Sequence, residues 1–529
     1  MVNPQENRAL SVNKVDSVEA LIATGLRRQE TGDWTGAADC FRQAARLDPP
    51  RAVCSLLLGD AMGRLNDWGQ AVESYQNAIR IDPAFADAYN NLGIALVEMG
   101  RDSDAIAAYA RAIEIDARHA NAYFNLGKLS ARLNEVETAS GLFATAISLQ
   151  PMHAYAYHEL GSLQEKSGWL EMATASYARS IELDPTRTVR ENLAAVLTLL
   201  GDARGIAQME ELVREQPLNA ESHWNLGMGL LLHGRYAEGW REFEWRTQIP
   251  RFHQYHHRFD QPGWRGGSLE GETILLYGEQ GHGDTLQFLR YVPLVAERGG
   301  RVLLEVHPVL RGLLEGFPGV AEWVEPGGAR PEFSTYASLM SLPHLLRSAE
   351  IPAPVALGIR DMGSGERLPS GVKSGELKVG LAWAGNPGHK RDHLRSIPLV
   401  QWRPLAKIEG VAFTSLQVVP ASLEAGNAGR YFDFVEDCTG LPDFEALAAV
   451  VSKLDLVITV DTAVAHLAGS MGKPVWILLP QVVDWRWGLE GTSTEWYPTA
   501  RLFRQTTPGD WSGVIADVGK ELQKLVRTL

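Results

Sequence analysis

Cysteine is scarce in this chain of 529 residues, where it occurs only as Cys40, Cys54 and Cys438. These residues lie far apart and form no C-x-x-C pair, so the sequence predicts neither a zinc site nor a disulfide framework. So few cysteines favour a reducing compartment. No stretch approaches the roughly 18 uninterrupted apolar residues of a membrane helix. The first residues are polar and lack an apolar targeting segment. Together these absences predict a cytoplasmic protein without a membrane span.

Basic residues are also in deficit. The chain has 50 Lys and Arg against 64 Asp and Glu, a formal net charge of −14. Binding to duplex nucleic acid depends on neutralising phosphates, so we expect no nucleic-acid partner. Hydrophobic residues make up 45% of the chain, and at about 150 residues per domain the length predicts roughly three to four compact units.

Glycine recurs with a period of 34 residues in the first part of the chain, followed each time by an alanine and then by an aromatic residue. The five units in this register contain Gly25, Ala37 and Phe41; Gly59, Ala71 and Tyr75; Gly93, Ala105 and Tyr109; Gly127, Ala139 and Phe143; and Gly161, Ala173 and Tyr177. The small residues allow two helices to approach, and we expect the aromatic ring to fill the gap between neighbouring hairpins. Prolines follow several of the second helices. The pattern resembles the tetratricopeptide repeat (TPR).

Seven such units, the sixth degenerate, extend over about residues 18–250. A solenoid of this kind has a continuous concave face, whose simplest role is that of a scaffold. Asparagine recurs at one equivalent position, as Asn91, Asn125, Asn192 and Asn225. The array resembles the repeats of O-linked N-acetylglucosamine transferase, and that resemblance implies a groove in which these asparagines hold the amides of an extended acceptor peptide. The alternative is that they satisfy neighbouring helix ends.

From about residue 270 short β-branched runs alternate with helical patterns, which predicts parallel α/β sheets. The expected fold class is an α-solenoid of TPR hairpins followed by a GT-B type pair of doubly wound parallel-sheet lobes. The expected segments are an N-terminal tail (1–17), the TPR solenoid (18–250), a linker (251–269), a first lobe (270–360), an interlobe linker (361–377), a second lobe (378–510) and a C-terminal helix (511–529).

Two strand ends carry candidate ligand-binding loops. The strand at 273–277 is followed by a glycine-rich turn that contains Gly283 and Asp284, where Asp284 is either functional or a helix N-cap. The strand at 456–460 is followed by Asp461, Thr462, Ala463 and His466. The free backbone amides at the N-terminus of the helix that follows could bind a diphosphate without a metal ion. The simpler interpretation makes Asp461 a cap and His466 a core histidine.

A third loop, after the strand that begins near residue 378, is dense in cationic and hydrogen-bonding groups. Its candidate anion ligands are Asn386, Lys390, Arg391 and Arg395. The alternative is an ordinary solvated surface loop.

The C-terminal half, about residues 270–510, resembles glycosyltransferase family 9, a heptosyltransferase-like group with the GT-B architecture. The resemblance implies that Asp284, in the Gly283-Asp284 pair, is the general base. It also implies that the segment from Asp461 to His466 holds the donor pyrophosphate. The first lobe is short and the tryptophan-rich segments differ from those of lipopolysaccharide heptosyltransferases, which argues against a lipid A core acceptor.

Aromatic residues near the C-terminus have two interpretations. Trp485 and Trp487 either pack in the core, together with Trp496 and Tyr497, or form a stacking surface for a sugar or base. Arg486 between them is a further candidate for an anion contact. His253, His256 and His257 lack carboxylate or thiol partners at ligand spacing, so we expect no metal site.

The combined expectation is an inverting, metal-independent glycosyltransferase that needs no cofactor beyond its nucleotide-sugar donor. Its acceptor is expected to be a protein or peptide held by the TPR groove, with flagellin or another surface protein implied by resemblance. The rival hypothesis is a non-catalytic TPR adaptor whose GT-B half no longer performs chemistry.

Overall fold

The computed structural model describes residues 4–254, 259–355, 357, 373–418 and 430–528, with side chains from residue 17 onward. His256 and His257, and most of the expected interlobe linker, lie outside the described residues. The chain divides into two compact units. The first comprises Met1–Gln164 and Met172–Val189, and the second comprises Glu165–Glu171 and Arg190–Leu529.

Consecutive helices make up the N-terminal part of the chain. Their bounds are α1 Pro4–Glu30, α2 Trp34–Leu47, α3 Ala52–Arg64, α4 Trp68–Ile81, α5 Ala86–Glu98, α6 Asp102–Ile115, α7 Ala120–Arg132, α8 Val136–Leu149, α9 Ala154–Lys166, α10 Leu170–Leu183, α11 Arg187–Leu199, α12 Ala203–Glu215, α13 Ala220–Leu232 and α14 Tyr236–Phe243. The first helix thus begins at Pro4, within the segment expected to be a tail. The boundary between the compact units also falls inside the helical array.

The hairpins follow from local sequence. Asp33 caps α2 by accepting a hydrogen bond from the Gly36 N–H at 2.9 Å, and Asp67 caps α4 in the same way. Helices α2, α4, α8 and α10 each end two residues before a proline. A proline disfavours the helical conformation of the residue before it, so these helices have a defined end.

Each recurring glycine accommodates the aromatic ring of its own hairpin. A Cβ atom on Gly59 would lie 2.4 Å from a ring carbon of Tyr75, and one on Gly93 would lie 2.5 Å from Tyr109. Gly25 and Phe41 repeat this contact. The ring thus packs onto the glycine of its own hairpin. That it also fills the gap between neighbouring hairpins stays a prediction.

Two parallel sheets follow in the second unit. The first has the strand order β3-β2-β1-β4 and the second the order β10-β9-β8-β5-β6-β7. The strands are β1 Thr273–Tyr277, β2 Arg301–Glu305, β3 Glu322–Val324, β4 Thr335–Ser338, β5 Leu377–Ala382, β6 Val411–Ser415, β7 Glu436–Asp437, β8 Leu456–Val460, β9 Val475–Leu479 and β10 Ala500–Arg504. The expected parallel sheets are therefore present, and β3, β4, β7 and β10 add strands that the sequence analysis did not identify.

Helices lie between these strands, and a longer one follows β10. They are α15 His282–Phe288, α16 Val292–Ala296, α17 Arg311–Leu314, α18 Leu342–Leu345, α19 Asp392–Arg395, α20 Leu399–Trp402, α21 Phe444–Ser452, α22 Ala463–Ser470 and α23 Ser512–Val526. In the second sheet the chain runs outward from β5 in both directions, so the strand order reverses between β5 and β8. Open parallel sheets bind ligands beyond the carboxyl ends of the strands at such a reversal.

One apolar core in the second unit joins the last helical hairpin to both sheets. It includes Trp240 and Phe243 of the hairpin, Phe288 of the first sheet region, and Trp485 and Trp496 of the second. A separate core on the second sheet packs against α23 and contains Trp383 and Trp402. The hairpin α13–α14 is therefore built into the sheet-containing unit.

Candidate active site

The loops after β1 and β8 meet through their helices. Helix α15 packs against α22, and Gly283 lies at the contact. A Cβ atom on Gly283 would lie 2.7 Å from Cδ2 of His466 and 3.5 Å from the Cα of Ala463. Glycine is required here because the two helices approach too closely for any side chain. The two predicted motifs, far apart in sequence, are thus neighbours.

Asp284 lies in the first turn of α15, three residues after the N-cap Gly281. Its Oδ2 accepts a hydrogen bond from the Gly281 N–H at 3.0 Å, and its Oδ1 accepts one from Nη2 of Arg486 at 2.5 Å. Burial raises the pKa of Asp284, and Asp484 and Glu279 act in the same direction, whereas Arg486 opposes them. The carboxylate is therefore a stronger base than a solvated aspartate, and Arg486 stabilises its ionised form.

Arg486 connects the two sheet regions. Besides Asp284, its guanidinium donates to Oε1 of Gln287 at 2.7 Å and pairs with Oδ1 of Asp484 at 2.8 Å. Burial alone would lower the pKa of Arg486, but Asp484, Asp284 and Asp461 together raise it. The arginine is permanently charged, and each of its three guanidinium nitrogens contacts one of these partners.

The N-terminus of α22 differs from the simpler interpretation of the sequence. Thr462, not Asp461, is the N-cap, because its side chain accepts a hydrogen bond from the Val464 N–H at 3.3 Å. Asp461 is buried, and both burial and the negative charge of Asp484 raise its pKa. The amide end of the helix and a carboxyl group of raised pKa therefore lie side by side.

His466 is a core histidine that also borders the cleft. Its Nδ1 lies 2.9 Å from the Tyr497 hydroxyl, and its ring stacks on Trp487 with centroids 5.5 Å apart. Burial lowers the pKa of His466 well below its ordinary value, and Arg486 and Arg290 lower it further. The imidazole is therefore neutral at pH 7.

These groups surround a cleft of about 860 Å³ within the second unit. The predicted site residues among its lining are Gly283, Asp284, Asn386, Arg391, Arg395, Asp461, Thr462, Ala463, His466 and Trp485. Lys390 and Trp487 do not line it. The base candidate, the helix amides and two of the predicted arginines thus share one cavity.

The cationic loop after β5 is partly braced and partly exposed. Arg395 is 18% exposed and pairs with Oδ1 of Asp392 at 3.1 Å. Asn386, Lys390 and Arg391 are exposed. Arg391 and Asn386 line the cleft, whereas Lys390, between the lining residues His389 and Arg391, does not.

The tryptophans serve as packing. Trp485 is 4% exposed and makes an edge contact with Trp240 of the last hairpin at 5.3 Å. Trp487 is 2% exposed and is covered by His466. Of the two proposed stacking surfaces, Trp485 alone borders the cleft.

The asparagines Asn91 and Asn125 in the first unit take part in a chain of side-chain hydrogen bonds. Asn91 donates to Asp60 and Asn125 donates to Asn90, each at 2.9 Å, while Asn90 donates to Asn91 at 2.9 Å. Tyr75 also donates to Asp60. The asparagines therefore bridge successive hairpins through side chains, which neither of the two sequence interpretations describes.

The other two asparagines belong to the second unit. Asn192 lies on α11 and Asn225 lies on α13, and both are half-buried. The four equivalent positions are thus divided between the two compact units.

Sequence reasoning missed a buried ion network beside the glycine-rich loop. Arg246 is fully buried and donates to Glu279 and Glu244, each at 2.6 Å, and to Ser341 at 2.8 Å. Glu279 lies in the loop between β1 and α15, so its position after a strand was the available signal. Arg246 lies 33 residues earlier, and nothing local indicates the pairing.

The described ranges contain neither a metal-ligand cluster nor a helix suited to cross a membrane. Within them no three His, Cys, Asp or Glu side chains are grouped to hold a metal ion. In the same part of the chain no helix has the length and apolar character needed to cross a membrane. Within these ranges all three cysteines are buried and unpaired.

Comparison with known families identifies TPR repeats in the helical array and a short glycosyltransferase-like segment in the second sheet region. Residues 59–100 and 95–134 match a TPR repeat model, and residues 154–187 match a tetratricopeptide repeat model. Residues 435–478 match glycosyltransferase family 9 (heptosyltransferase). The latter match contains the segment from Asp461 to His466 but does not extend to Asp284.

Among individual proteins, Protein FlbA of Caulobacter vibrioides (strain ATCC 19089 / CIP 103742 / CB 15) is 27% identical over 345 residues. The alignment covers 56% of this chain and 53% of FlbA, so the chain spans about half the length of this curated relative. The resemblance to O-linked N-acetylglucosamine transferase stays a prediction.

Solved TPR structures are similar to smaller parts of the chain. MamA is 27% identical with a TM-score of 0.28, and the match covers 30% of this chain and 94% of MamA. The thermophilic TPR protein TTC0263 of Thermus thermophilus is 21% identical with a TM-score of 0.31, and the match covers 34% of this chain and 98% of TTC0263.

Proposed function

We propose that this chain is an inverting glycosyltransferase that moves a sugar from a nucleotide-sugar donor to a protein acceptor. The observation that carries the proposal is the sharing of one cleft by Asp284 and the N-terminus of α22. A base candidate and an anion-binding helix end are the two components that such a displacement needs. The family 9 match over residues 435–478 supports the donor side independently.

The reaction would be a direct displacement at the anomeric carbon. An acceptor hydroxyl oxygen forms the new glycosidic bond while the bond to the donor's leaving phosphate oxygen breaks. The hydroxyl proton passes to Asp284, whose pKa is raised by burial. General base catalysis of this kind contributes about 10²–10⁴-fold to the rate. Inversion follows because nucleophile and leaving group occupy opposite faces of the sugar.

Charge on the leaving nucleotide would be stabilised by preorganised donors. The backbone amides at Thr462 and Ala463 lie at the positive end of the α22 dipole. Arg391 and Arg395 border the same cleft and supply positive charge. Fixed donors in a partly buried cleft stabilise a developing anion without having to reorganise. Such electrostatic stabilisation is usually the largest single contribution to an enzyme's rate enhancement. These groups would perform the role that a divalent metal has in other transferases.

Arg486 would keep Asp284 ionised before the acceptor arrives. Arg486 donates a hydrogen bond to Oδ1 of Asp284, and the other carboxylate oxygen, Oδ2, accepts one from the Gly281 N–H. Because Asp284 is 19% exposed at the cleft, an acceptor hydroxyl has access to the carboxylate. Arg486 is therefore proposed as a positioning residue.

The acceptor is proposed to be a protein because TPR repeats commonly bind peptides. An asparagine amide carries two N–H donors and a carbonyl with two lone pairs, so the bonds within the Asn91–Asn125 chain leave capacity for a peptide backbone. Flagellin or another surface protein is the candidate class.

Thermal-shift measurements against nucleotides and nucleotide-sugars test the donor half, since a ligand that binds only the folded state raises the melting temperature. Wild-type protein should respond to one nucleotide class, and Asp284→Asn should respond equally while losing turnover. A protein that binds no nucleotide and transfers no sugar would instead be the non-catalytic adaptor.

A further inference from the structure

One wall of the cleft is apolar and comes from the last helical hairpin. Trp224 and Met228 lie one turn apart on α13, and Phe252 ends the short helical turn Pro250–Phe252 that follows α14. All three side chains are partly exposed and line the same cavity as Asp284. The last hairpin and the segment after it therefore form one wall of the cleft. The proposed mechanism gives this wall no role.

The aromatic part of this wall is held in place. The rings of Trp224 and Phe252 have centroids 5.8 Å apart and are tilted by 53°. The Arg251 guanidinium lies 5.0 Å from each ring centroid and also pairs with Glu221, to which it donates at 2.8 Å. The Glu221 carboxylate balances the positive charge of Arg251. This wall therefore offers apolar area rather than a site for an anion.

Charged groups of the second sheet region and apolar side chains of the last hairpin line the same cleft. Arg391, Arg395 and the α22 amides border the part contributed by the second sheet, where the donor phosphates are proposed to bind. Val309 and Met340 from the first sheet region extend the apolar lining. Asp284 borders this same cavity, as a base acting between donor and acceptor must.

The cleft is large for a site that binds one small molecule. Single small-molecule sites occupy about 300–1,000 Å³, and this cleft of about 860 Å³ lies near the upper end of that range. A nucleotide-sugar bound at the cationic part leaves the apolar wall for a second molecule.

We propose that the wall formed by Trp224, Met228 and Phe252 is the acceptor subsite. It takes a peptide segment with an aromatic or branched aliphatic side chain beside the hydroxyl that receives the sugar. The inference rests on the proposed function and specifies its substrate. A peptide is favoured over a lipid because the wall belongs to a TPR-like hairpin and presents two rings, an area matched to one large side chain.

The test uses full-length protein, the donor found by thermal shift, and synthetic peptides of the form acetyl-Gly-Xaa-Ser-Gly-amide with Phe, Leu, Ala or Asp at Xaa. We expect kcat/KM for the Phe and Leu peptides to exceed that for the Asp peptide by about 10–200-fold, the range that differential burial of a side chain provides. A decyl glycoside serves as the lipid-like acceptor.

Trp224→Ala and Phe252→Ala should raise KM for the Phe peptide and remove most of the preference, with the donor response unchanged. Trp224→Leu retains apolar volume and should lose less, which separates the subsite from a folding defect. Trp245→Ala is the matched control, because Trp245 stacks on His223 with centroids 3.9 Å apart and does not line the cleft. It should keep the preference.

Equal rates for the four peptides, transfer to none of them, or a decyl glycoside that outperforms them would each overturn the subsite proposal. Loss of preference in Trp245→Ala to the same extent as in Trp224→Ala would do so as well. Failure of the proposed function has a different signature, namely wild-type protein without any nucleotide-dependent thermal shift. Peptide binding followed by NMR chemical shifts of the tryptophan indoles then decides the subsite separately.

Discussion

Nη2 of Arg486 lies 2.5 Å from Oδ1 of Asp284, although the two residues are 202 positions apart in sequence. The contact joins a loop that follows β9 to the helix that follows β1. It ties the carboxylate proposed as the base to a permanently charged group from the other sheet region. A charge in this position stabilises the ionised aspartate and so counteracts the effect of burial.

Replacing Arg486 should shift the pH dependence of transfer. Arg486 lowers the pKa of Asp284, so Arg486→Met should raise that pKa further. Since the base must be deprotonated, the acid limb of kcat/KM against pH should move to higher pH. Arg486→Lys keeps a charge and should shift it less. Arg403→Met, at an exposed arginine, serves as the control. An identical pH profile in Arg486→Met would remove the proposed coupling.

Asp284→Asn should lower transfer by about two to four orders of magnitude while donor affinity and melting temperature stay near wild type. Asparagine retains an oxygen that accepts the Gly281 N–H, so the first turn of α15 remains capped. Steady-state kinetics with saturating substrates and a thermal melt provide the measurement. A wild-type rate would reduce Asp284 to a helix-stabilising residue.

Donor turnover should not require a divalent metal. The proposed leaving-group stabilisation uses the α22 amides, Arg391 and Arg395, none of which needs an ion to act. Rates should therefore be equal in EDTA, Mg²⁺ and Mn²⁺. Activity that disappears in EDTA and returns with either metal would contradict this prediction.

Gly283→Ala should disturb the contact between α15 and α22. The added Cβ would lie 2.7 Å from the His466 ring, and overpacking of this kind costs about 1–3 kcal/mol. We expect a lower melting temperature and weaker donor binding. Gly267→Ala is the matched control in the first sheet region, because its Cβ would meet nothing within 4 Å. Equal melting temperatures for the two variants would show that the helices separate at little cost.

Removal of residues 1–189 should leave a folded protein that binds donor but no longer recognises its macromolecular acceptor. Residues 190–529 form most of the second compact unit, and Glu165–Glu171 is the part of that unit that the deletion removes. A longer deletion, up to about residue 220, would keep only the last hairpin, α13–α14. That cut would remove α11 and α12, which cover Leu226 and Leu230 of α13. The longer deletion should therefore melt at a lower temperature.

If the variant that lacks residues 1–189 modified the full-length acceptor at an undiminished rate, the first 189 residues would have no part in recognition. The same assay with a small peptide acceptor is the control. Its rate should be unaffected, because the proposed subsite lies on α13 and the segment after α14.

Periodic patterns in the sequence determine the local structure of this protein. A 34-residue spacing of glycine predicts helical hairpins, and prolines mark where α2 and α4 end. Alternating β-branched runs predict parallel strands, six of which lie within a residue or two of the expected positions, namely β1, β2, β5, β6, β8 and β9. These features are predictable because helix and strand formation depends on neighbours close in sequence.

Candidate loops were also identifiable from the sequence, because ligand sites in parallel sheets follow strand ends. What the sequence left open was the role of each residue within them. Thr462 rather than Asp461 caps α22, and Lys390 lies outside the cleft whereas Arg391 borders it. Capping and exposure depend on backbone dihedral angles and side-chain direction, which residue type alone does not specify.

Only the tertiary structure decided which distant groups meet. The ion pair of Arg486 with Asp284, the burial of Arg246 against Glu279 and the placement of Trp224 in the cleft wall all join segments far apart in the chain. No local pattern encodes such contacts, since they arise when the last hairpin and two sheets bury a common apolar core. The sequence by itself determined the elements and the strand ends, and the packing of that core determined the chemistry assembled between them.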